Sequence, residues 1–410
     1  MTRTDDAREL YAHVMMRTFG APLAVLARGE GARVWDVEGR EYLDFLAGIA
    51  VNALGHAHPA FVDAVSRQAA TLAHVSNYFA TEPQLELAER LVRLSGGDRV
   101  FFANSGTEAI EAAVKLARRT GRTRILALEN SFHGRSIGAL SLTGKPALRE
   151  PFEPLMPGVE HLPSTIEALE AALAAGDVAA LVVEPIKGEA GVVELPAGYL
   201  AAARELTTRH GALLILDEIQ TGVARTGDWF AFQHEGELPP GTTPDAMALA
   251  KGLGGGFPIG ALVTFGAASE LFQPGQHGST FGGNPLAAAA ANAVLGEIER
   301  ADLVGNARRR GAELRARVEA IGSPLVTDIQ GRGLLLGVGL AEPVAGEVAR
   351  RALERGLIVN AASERRIRLA PPLIIGDAEL DEFARIFADA LAIPTPDTAP
   401  DTTPDIGDNA

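Results

Sequence analysis

The chain has 410 residues, of which 47% are hydrophobic and 22% charged, a composition typical of a large globular protein with an extensive core. Its formal net charge of −15 is the opposite of the basic surface that nucleic-acid binding requires, which excludes DNA or RNA as the main partner. The sequence contains no cysteine, so disulfides, thiolate metal sites and cysteine nucleophiles are excluded.

The N-terminal segment, residues 1 to about 60, carries short strand patterns and no targeting signal. Its first ten residues lack an apolar signal core, and charged residues and glycines interrupt every later apolar run before membrane-spanning length. Residues 33–39 predict a strand and a turn, and residues 41–45 predict a second strand. We expect a cytoplasmic protein without a membrane segment, whose residues 1–60 pack with a small domain.

Apolar strand patterns alternate with amphipathic helical patterns at residues 61–290, which predicts a large α/β domain. In the helix predicted at 107–119, Glu111 precedes Lys115 in the favourable i,i+4 order. Four near-continuous apolar runs predict strands buried on both faces of a mainly parallel sheet. They lie at residues 100–103, 124–128, 179–183 and 212–216.

A smaller α/β domain is predicted at residues 291–393. It is expected to contain a charged helix around 301–320 and a strand at 333–337. The tail at residues 394–410 is rich in Pro, Thr and Asp and has almost nothing to bury, so it is predicted to be disordered.

Two small-residue loops are candidate phosphate sites. Residues 100–108 run from a strand through a turn into a helix, where backbone N–H groups of Ser105, Gly106 and Thr107 would face a phosphate. Considered alone, this turn is more typical of an ordinary helix cap by Ser105 or Thr107. Thr280, in a loop before an alanine-rich helix, could also donate to a phosphate, although most such loops are structural.

Aromatic, cationic and acidic side chains follow the next two predicted strands. Phe132 could stack on a flat ring and Arg135 could bind a substrate carboxylate, but a core aromatic and a surface ion pair match the pattern equally. Glu184 ends a strand, and Glu189 lies in the glycine-flanked loop that follows. Open α/β sheets bind ligands at the carboxyl ends of their strands. A solvated acidic loop is the alternative for Glu189.

Asp217 and Lys251 form the most informative pair in the chain. Asp217 follows four apolar residues at a strand end, and Lys251 lies later in a glycine-rich run. A pyridoxal phosphate enzyme needs such a pair, because the lysine bonds to the cofactor aldehyde and the carboxylate keeps the pyridine nitrogen protonated. An apolar, cation-rich setting would also lower the lysine pKa and favour its nucleophilic form.

Metal chemistry is the competing interpretation of these acids and of two histidines. A metal-binding Asp217 would need a phosphate-binding loop, but the nearest candidate, residues 138–146, has glycines spaced one residue too far apart and Pro146 in place of Ser or Thr. His56 and His58 have no evident third ligand nearby, which favours a structural turn over a zinc site. We expect no metal.

Six motifs in this order make the chain resemble the class III (ω-amino acid) aminotransferases of PLP fold type I, from about residue 20 to residue 393. Further strings at 45–51, 54–59 and 368–373 most resemble the acetylornithine aminotransferases of arginine biosynthesis. Residues 18–24 lack a Tyr-x-Pro arrangement common in the family, and Lys187 stands where glutamine is usual. The six motifs are Asn104-Ser-Gly-Thr107, Phe132-His-Gly-Arg135, Glu184-Pro-Ile186, Asp217-Glu-Ile-Gln220, Lys251 and Ser279-Thr-Phe-Gly-Gly-Asn-Pro285.

The resemblance implies a role for each matching residue. Lys251 would carry the cofactor and shuttle a proton, and Asp217 would pair with its ring nitrogen. Arg135 and Arg368 would bind substrate carboxylates, and Glu189 would neutralise Arg368 until a second carboxylate arrives. Further contacts with pyridoxal 5′-phosphate are implied for Ser105, Gly106, Thr107, Phe132, His133, Glu184, Gln220 and, from a neighbouring subunit, Thr280.

The implied activity is ping-pong transfer of the δ-amino group of N2-acetylornithine to 2-oxoglutarate in a homodimer, giving N-acetylglutamate semialdehyde and glutamate. Succinylornithine, ornithine and 4-aminobutyrate are alternative donors on the same scaffold. A non-catalytic regulator is a remote alternative, because residues 1–60 are too short to include a DNA-binding module and the chain is acidic. An isomerase or decarboxylase is a third possibility, which predicts that no glutamate forms.

Overall fold

A computed structural model describes residues 2–393, so the prediction for residues 394–410 lies outside the described residues. The helices are α1 (Arg3–Val14), α2 (Ala47–Ala50), α3 (Pro59–Thr71), α4 (Glu82–Ser95), α5 (Gly106–Arg118), α6 (Ile137–Leu142), α7 (Pro146–Arg149), α8 (Ile166–Leu173), α9 (Tyr199–His210), α10 (Pro285–Arg300), α11 (Leu303–Ala320), α12 (Ala345–Glu354) and α13 (Asp377–Leu391). The strands are β1 (Leu26–Glu30), β2 (Arg33–Asp36), β3 (Glu41–Asp44), β4 (Arg99–Ala103), β5 (Arg124–Leu128), β6 (Val159–Leu162), β7 (Val178–Val183), β8 (Ile186–Lys187), β9 (Val193–Glu194), β10 (Leu213–Asp217), β11 (Ala246–Leu249), β12 (Gly260–Thr264), β13 (Val326–Arg332), β14 (Leu335–Leu340), β15 (Leu357–Ile358), β16 (Asn360–Ser363) and β17 (Arg366–Leu369).

A seven-stranded sheet with the order β4-β12-β11-β10-β7-β5-β6 forms the centre of the molecule. The pairs β11-β10, β10-β7, β7-β5 and β5-β6 are parallel, and β12 is antiparallel to both β11 and β4. All six residues of β7 are buried, as expected for a strand covered on both faces. The predicted mainly parallel sheet in an α/β fold is therefore confirmed, with β12 as its one reversed strand.

Helix α5 lies against this sheet and buries a continuous apolar face that includes Ile110 and Val114. Burying a side chain of this size contributes roughly 1.5–3 kcal/mol. The expected pairing of Glu111 with Lys115 is replaced by other partners. Glu111 accepts hydrogen bonds from the Ser136 hydroxyl and the Gly138 amide, whereas Lys115 donates to the carbonyl oxygen of Gln276. Tertiary contacts thus override the local i,i+4 preference.

Two smaller sheets surround the C-terminal helices. The first has the order β13-β14-β17-β16 and is antiparallel throughout. The second, β1-β2-β3-β15, joins the N-terminal strands to β15 through a parallel pairing. The division into residues 1–60, 61–290 and 291–393 stays a prediction, and this pairing supports the expected packing of the first segment on the last. No helix within residues 2–393 is long and apolar enough to span a membrane.

The topology brings several chain segments to one edge of the central sheet. Because β4 is antiparallel to β12 and β12 to β11, strand β4 points in the same direction as β11, β10, β7 and β5. The carboxyl ends of these strands therefore meet at a common edge, the usual ligand-binding edge of such sheets. The predicted motifs at 104–107, 131–135, 184–189, 217–220 and 251 all follow these strands.

Candidate active site

A cavity of about 450 Å³ opens at this edge of the central sheet. Most of the predicted site residues line it, whereas Arg368 lies just behind Glu189 and Thr280 lies outside the cavity. The predicted residues in its wall are Ser105, Gly106, Thr107, Phe132, His133, Arg135, Glu184, Glu189, Asp217, Gln220 and Lys251.

Lys251 follows strand β11 and lines the cavity. Its backbone has a φ of 42°, the left-handed region that non-glycine residues rarely occupy and that concentrates at functional sites. Burial lowers the pKa of the Lys251 ammonium to about 8, although the nearby Glu189 carboxylate opposes this shift. A substantial share of this amine is therefore neutral near physiological pH and able to act as a nucleophile.

Asp217 ends strand β10 and is almost completely buried. One carboxylate oxygen lies 2.7 Å from Nδ1 of the buried His133, and the other accepts a hydrogen bond from the Ile219 amide. Burial is the largest influence on His133 and disfavours its charged form, but the hydrogen bond and charge of Asp217 and the charge of Glu184 together raise the histidine pKa above its ordinary value. Asp217 is thus held in a fixed position at the cavity wall by these two contacts.

The turn before α5 combines a helix cap with a potential anion site. Ser105 Oγ accepts a hydrogen bond from the Glu108 amide at 3.3 Å, so the cap expected as the alternative interpretation is present. Thr107 Oγ1 lies 2.6 Å from the Ser136 hydroxyl. The backbone N–H groups of Gly106 and Thr107, in the first turn, have no partner within the helix and are available to a phosphate.

Glu184 connects two loops of the cavity wall. Its carboxylate oxygens accept hydrogen bonds from the Phe132 amide at 2.8 Å and from the Gly188 amide at 3.0 Å. Burial raises the pKa of Glu184 to about 7, with nearby His133 acting in the opposite direction. Glu184 therefore positions the Phe132 segment relative to the loop that carries Glu189.

Arg135 is exposed beside the Phe132 ring, and its guanidinium carbon lies 5.5 Å from the ring centroid.

Arg368 on β17 is only 1% exposed and forms an ion pair with Glu189. The same guanidinium donates to Gln220 Oε1 at 3.1 Å and to Asn360 Oδ1 at 2.8 Å. Burial disfavours ionisation of Glu189, but Arg368 outweighs burial and lowers the glutamate pKa. The buried Arg368 cation is therefore neutralised by a glutamate, whose three rotatable bonds allow its carboxylate to move.

Several residues of the site have no recognisable signal in the sequence. Asn360 binds Arg368 from the neighbouring strand, and Thr143 Oγ1 accepts a hydrogen bond from the His133 amide. Gly188 lies against Gln220, where a Cβ atom would approach the Gln220 side chain to 2.4 Å.

The histidine turn considered for a zinc site makes other contacts. His56 lies 2.8 Å from an oxygen of Asp44, and His58 caps α3.

The residues in the cavity wall fit pyridoxal phosphate. Lys251 would supply an amine for its aldehyde, Asp217 would supply a buried carboxylate for its ring nitrogen, and the N-terminus of α5 would supply backbone N–H groups for its phosphate. The Phe132 ring faces the same space, and Nε2 of His133 is buried without a hydrogen-bond partner among the described residues. An amine, a carboxylate and an anion site within one cavity match the three chemical ends of this cofactor.

Residues 14–391 match the family Aminotransferase class-III. The chain belongs to the class III aminotransferases. A Mycobacterium tuberculosis acetylornithine aminotransferase is 54% identical over 93% of this chain and 95% of its own length. The ornithine aminotransferase of Toxoplasma gondii superposes with a TM-score of 0.90 at 34% identity, covering 95% of both chains. The acetylornithine aminotransferase of Elizabethkingia anophelis has a TM-score of 0.85 at 37% identity and covers 95% of this chain and 99% of its own.

As a class III aminotransferase, the enzyme uses pyridoxal phosphate, and the pKa of Lys251 predicts how its capture depends on pH. We expect covalent attachment of added cofactor to the apoenzyme to accelerate as pH rises toward about 8 and then to level off. The reason is that only the neutral amine attacks, and a lysine is neutral above its pKa. Stopped-flow absorbance across a pH series would measure the rate, and a pH-independent rate would contradict this assignment of Lys251.

Proposed function

We propose that the enzyme transfers the δ-amino group of N2-acetylornithine to 2-oxoglutarate, a reaction of arginine biosynthesis. The pairing of buried Arg368 with Glu189 supports the proposal most strongly, together with Arg135, which lines the cavity separately and has no ion-pair partner among residues 2–393. A donor with one carboxylate needs one arginine, and an acceptor with two carboxylates needs both. The names of relatives that are 52–54% identical over most of this chain agree with this donor.

The proposed roles follow from the charges in the cavity. While the donor occupies the site, Arg135 binds its carboxylate and Glu189 keeps Arg368 neutralised, so no buried cation remains uncompensated. When 2-oxoglutarate enters, Glu189 leaves and Arg368 binds the additional carboxylate in bidentate fashion. The bound cofactor supplies the electron sink, and Lys251 moves the proton at the reacting carbon. Asp217 keeps the ring nitrogen of the cofactor protonated, as this electron sink requires.

A panel of donors tests the proposal. With 2-oxoglutarate as the acceptor, we expect kcat/KM for N2-acetylornithine to exceed the values for ornithine and 4-aminobutyrate by about tenfold or more (~1.4 kcal/mol in the transition state). Succinylornithine serves as the matched comparison, because it also presents an acylated α-amine. A tenfold preference for free ornithine or 4-aminobutyrate would overturn the assignment, and absence of glutamate from every reaction would favour isomerase or decarboxylase chemistry.

The proposed enzyme is a cytoplasmic homodimer with shared active sites. Thr280 is exposed in a loop that Asn77 binds through the carbonyl oxygens of the residues at 279 and 282. Phe281 in this loop is 58% exposed, and Tyr78 and Phe79, which follow Asn77 in the chain, are 93% and 68% exposed. A cluster of exposed aromatic side chains is typical of a surface that a partner covers. A second copy seated there would allow Thr280 to reach the phosphate in the neighbouring cavity.

A mixed-dimer experiment tests the shared site. We expect Lys251→Ala and Thr280→Ala chains, each poorly active alone, to regain about a quarter of wild-type activity after dissociation and reassociation. Random reassortment makes about half of the dimers mixed, and each mixed dimer has one site with both residues intact if Thr280 acts across the interface. Each variant reassociated with itself is the control, and no recovery in the mixture would place Thr280 in its own subunit's site.

A further inference from the structure

Lys145 borders the active site without belonging to any of its predicted motifs. It follows Gly144, whose amide donates to the Ser131 carbonyl oxygen at 3.0 Å and whose carbonyl oxygen accepts from the Asn130 amide at 3.0 Å. The lysine backbone is therefore fixed against the segment that leads into Phe132. From this base, the half-buried ammonium group reaches the Glu189 loop.

The ammonium group of Lys145 donates a hydrogen bond to the backbone carbonyl oxygen of Glu189. Within residues 2–393, no carboxylate lies within 4.0 Å of this ammonium, whereas the Glu189 carboxylate is paired with Arg368. Burial lowers the pKa of Lys145, and the charge of Glu189 acts in the opposite direction. A cation without a carboxylate partner thus contacts the residue whose carboxylate has to move.

The movement of Glu189 creates an electrostatic requirement at the cavity wall. Once a second substrate carboxylate occupies Arg368, the Glu189 carboxylate loses its partner in a partly buried setting, which is costly unless another cation compensates it. Among the lysine and arginine side chains that line the cavity, Lys251 would serve the cofactor and Arg135 the first carboxylate, while the nearby Lys187 is bound to the Glu129 carbonyl oxygen. Lys145 remains, and its ammonium already touches the Glu189 main chain.

We propose that Lys145 receives the Glu189 carboxylate when a dicarboxylate occupies Arg368, and that it thereby determines how well the enzyme accepts dicarboxylates. The inference rests on the Glu189–Arg368 exchange of the proposed function. It makes Lys145 a specificity-determining residue that acts through Glu189 and has no direct contact with the substrate. Removing its charge should leave Glu189 on Arg368 for longer and so penalise the acceptor half-reaction selectively.

Three variants of the holoenzyme separate the charge of Lys145 from its hydrogen bond. Lys145→Gln retains a donor for the Glu189 carbonyl oxygen without the charge, Lys145→Met removes both, and Lys145→Arg retains both. Each half-reaction is measured separately by the change in cofactor absorbance, first with the donor alone and then with the aminated enzyme and 2-oxoglutarate. We expect the apparent Kd for 2-oxoglutarate to rise about fivefold in the Gln and Met variants, the size expected for a partly exposed ion pair.

The same variants should bind the donor within about twofold of wild type, because the donor leaves Glu189 on Arg368. Lys145→Arg should match wild type in both half-reactions. Wild-type affinity for 2-oxoglutarate in Lys145→Gln would overturn the proposal, as would equal losses in the two half-reactions, which indicate a merely structural role. If the wild-type enzyme does not react with N2-acetylornithine but accepts another ω-amine, the proposed donor is wrong. The two half-reactions are then compared with that amine as the donor.

Discussion

Replacing Lys251 with alanine should lower kcat by roughly 10⁴-fold or more, since the variant loses both the covalent link to the cofactor and the group that transfers the proton. The position of Lys251 leaves no chemically equivalent amine to replace it among the described residues of the cavity wall. Within the described residues 2–393, its amine is the one lysine nitrogen in the cavity wall, and Lys251 combines a strained backbone with a pKa lowered to about 8. Steady-state production of glutamate from 2-oxoglutarate measures the loss.

A chemical readout identifies the residue that carries the cofactor. Reduction with borohydride followed by peptide mass spectrometry should place the cofactor on Lys251 in the wild type and on no peptide in Lys251→Ala. The sequence contains three other lysines, at positions 115, 145 and 187, so the assignment is unambiguous. Lys115→Ala, a change on the exposed face of α5, is the control and should keep its label. A labelled, active Lys251→Ala enzyme would refute the assigned role.

The sheet and most of the cavity wall could be predicted because both depend on local patterns. Apolar runs identify β5, β7 and β10 to within a residue, and the parallel arrangement then brings the segments after these strands together. Asp217 and Glu184 could therefore be expected at one site, although they lie 33 positions apart in the chain. Strands β6, β11 and β12 are not among the four predicted strands. The antiparallel direction of β12 in particular has no signal, because a buried strand of either direction is equally apolar.

Contacts that join distant segments could not be predicted from patterns. The partners of Arg368 come from three separate places in the chain, Glu189, Gln220 and Asn360, and no spacing rule relates them. Family resemblance supplied the role of Arg368, but not the strand that presents it beside Asn360. Glu111 is an example in which a local rule gives the wrong partner. The i,i+4 spacing predicts a pair with Lys115 on the helix surface, but Ser136 and Gly138 at the start of α6 donate to Glu111 instead.

The Asp217→Asn variant should lose roughly 10³-fold in kcat while retaining its fold, the scale seen when a preorganised electrostatic partner is removed from an active site. Asparagine has nearly the same shape but no negative charge, so it cannot keep the cofactor's ring nitrogen protonated. It also removes the charge that raises the pKa of His133 above its ordinary value. Parallel measurements of kcat and of cofactor affinity would show the loss mainly in kcat.

Glu218→Gln provides a matched control one residue away. Glu218 is completely buried like its neighbour, but its carboxylate accepts hydrogen bonds from the Ala231 and Phe232 amides, and burial raises its pKa to about 7. Glutamine should weaken these bonds and lower the stability by ~1–3 kcal/mol, with little change in kcat. A similar kcat loss in both variants would attribute the effect of Asp217→Asn to a general disturbance of the β10 terminus. A large loss confined to Asp217→Asn would instead locate the required charge at Asp217, the member of this adjacent pair that lines the cavity.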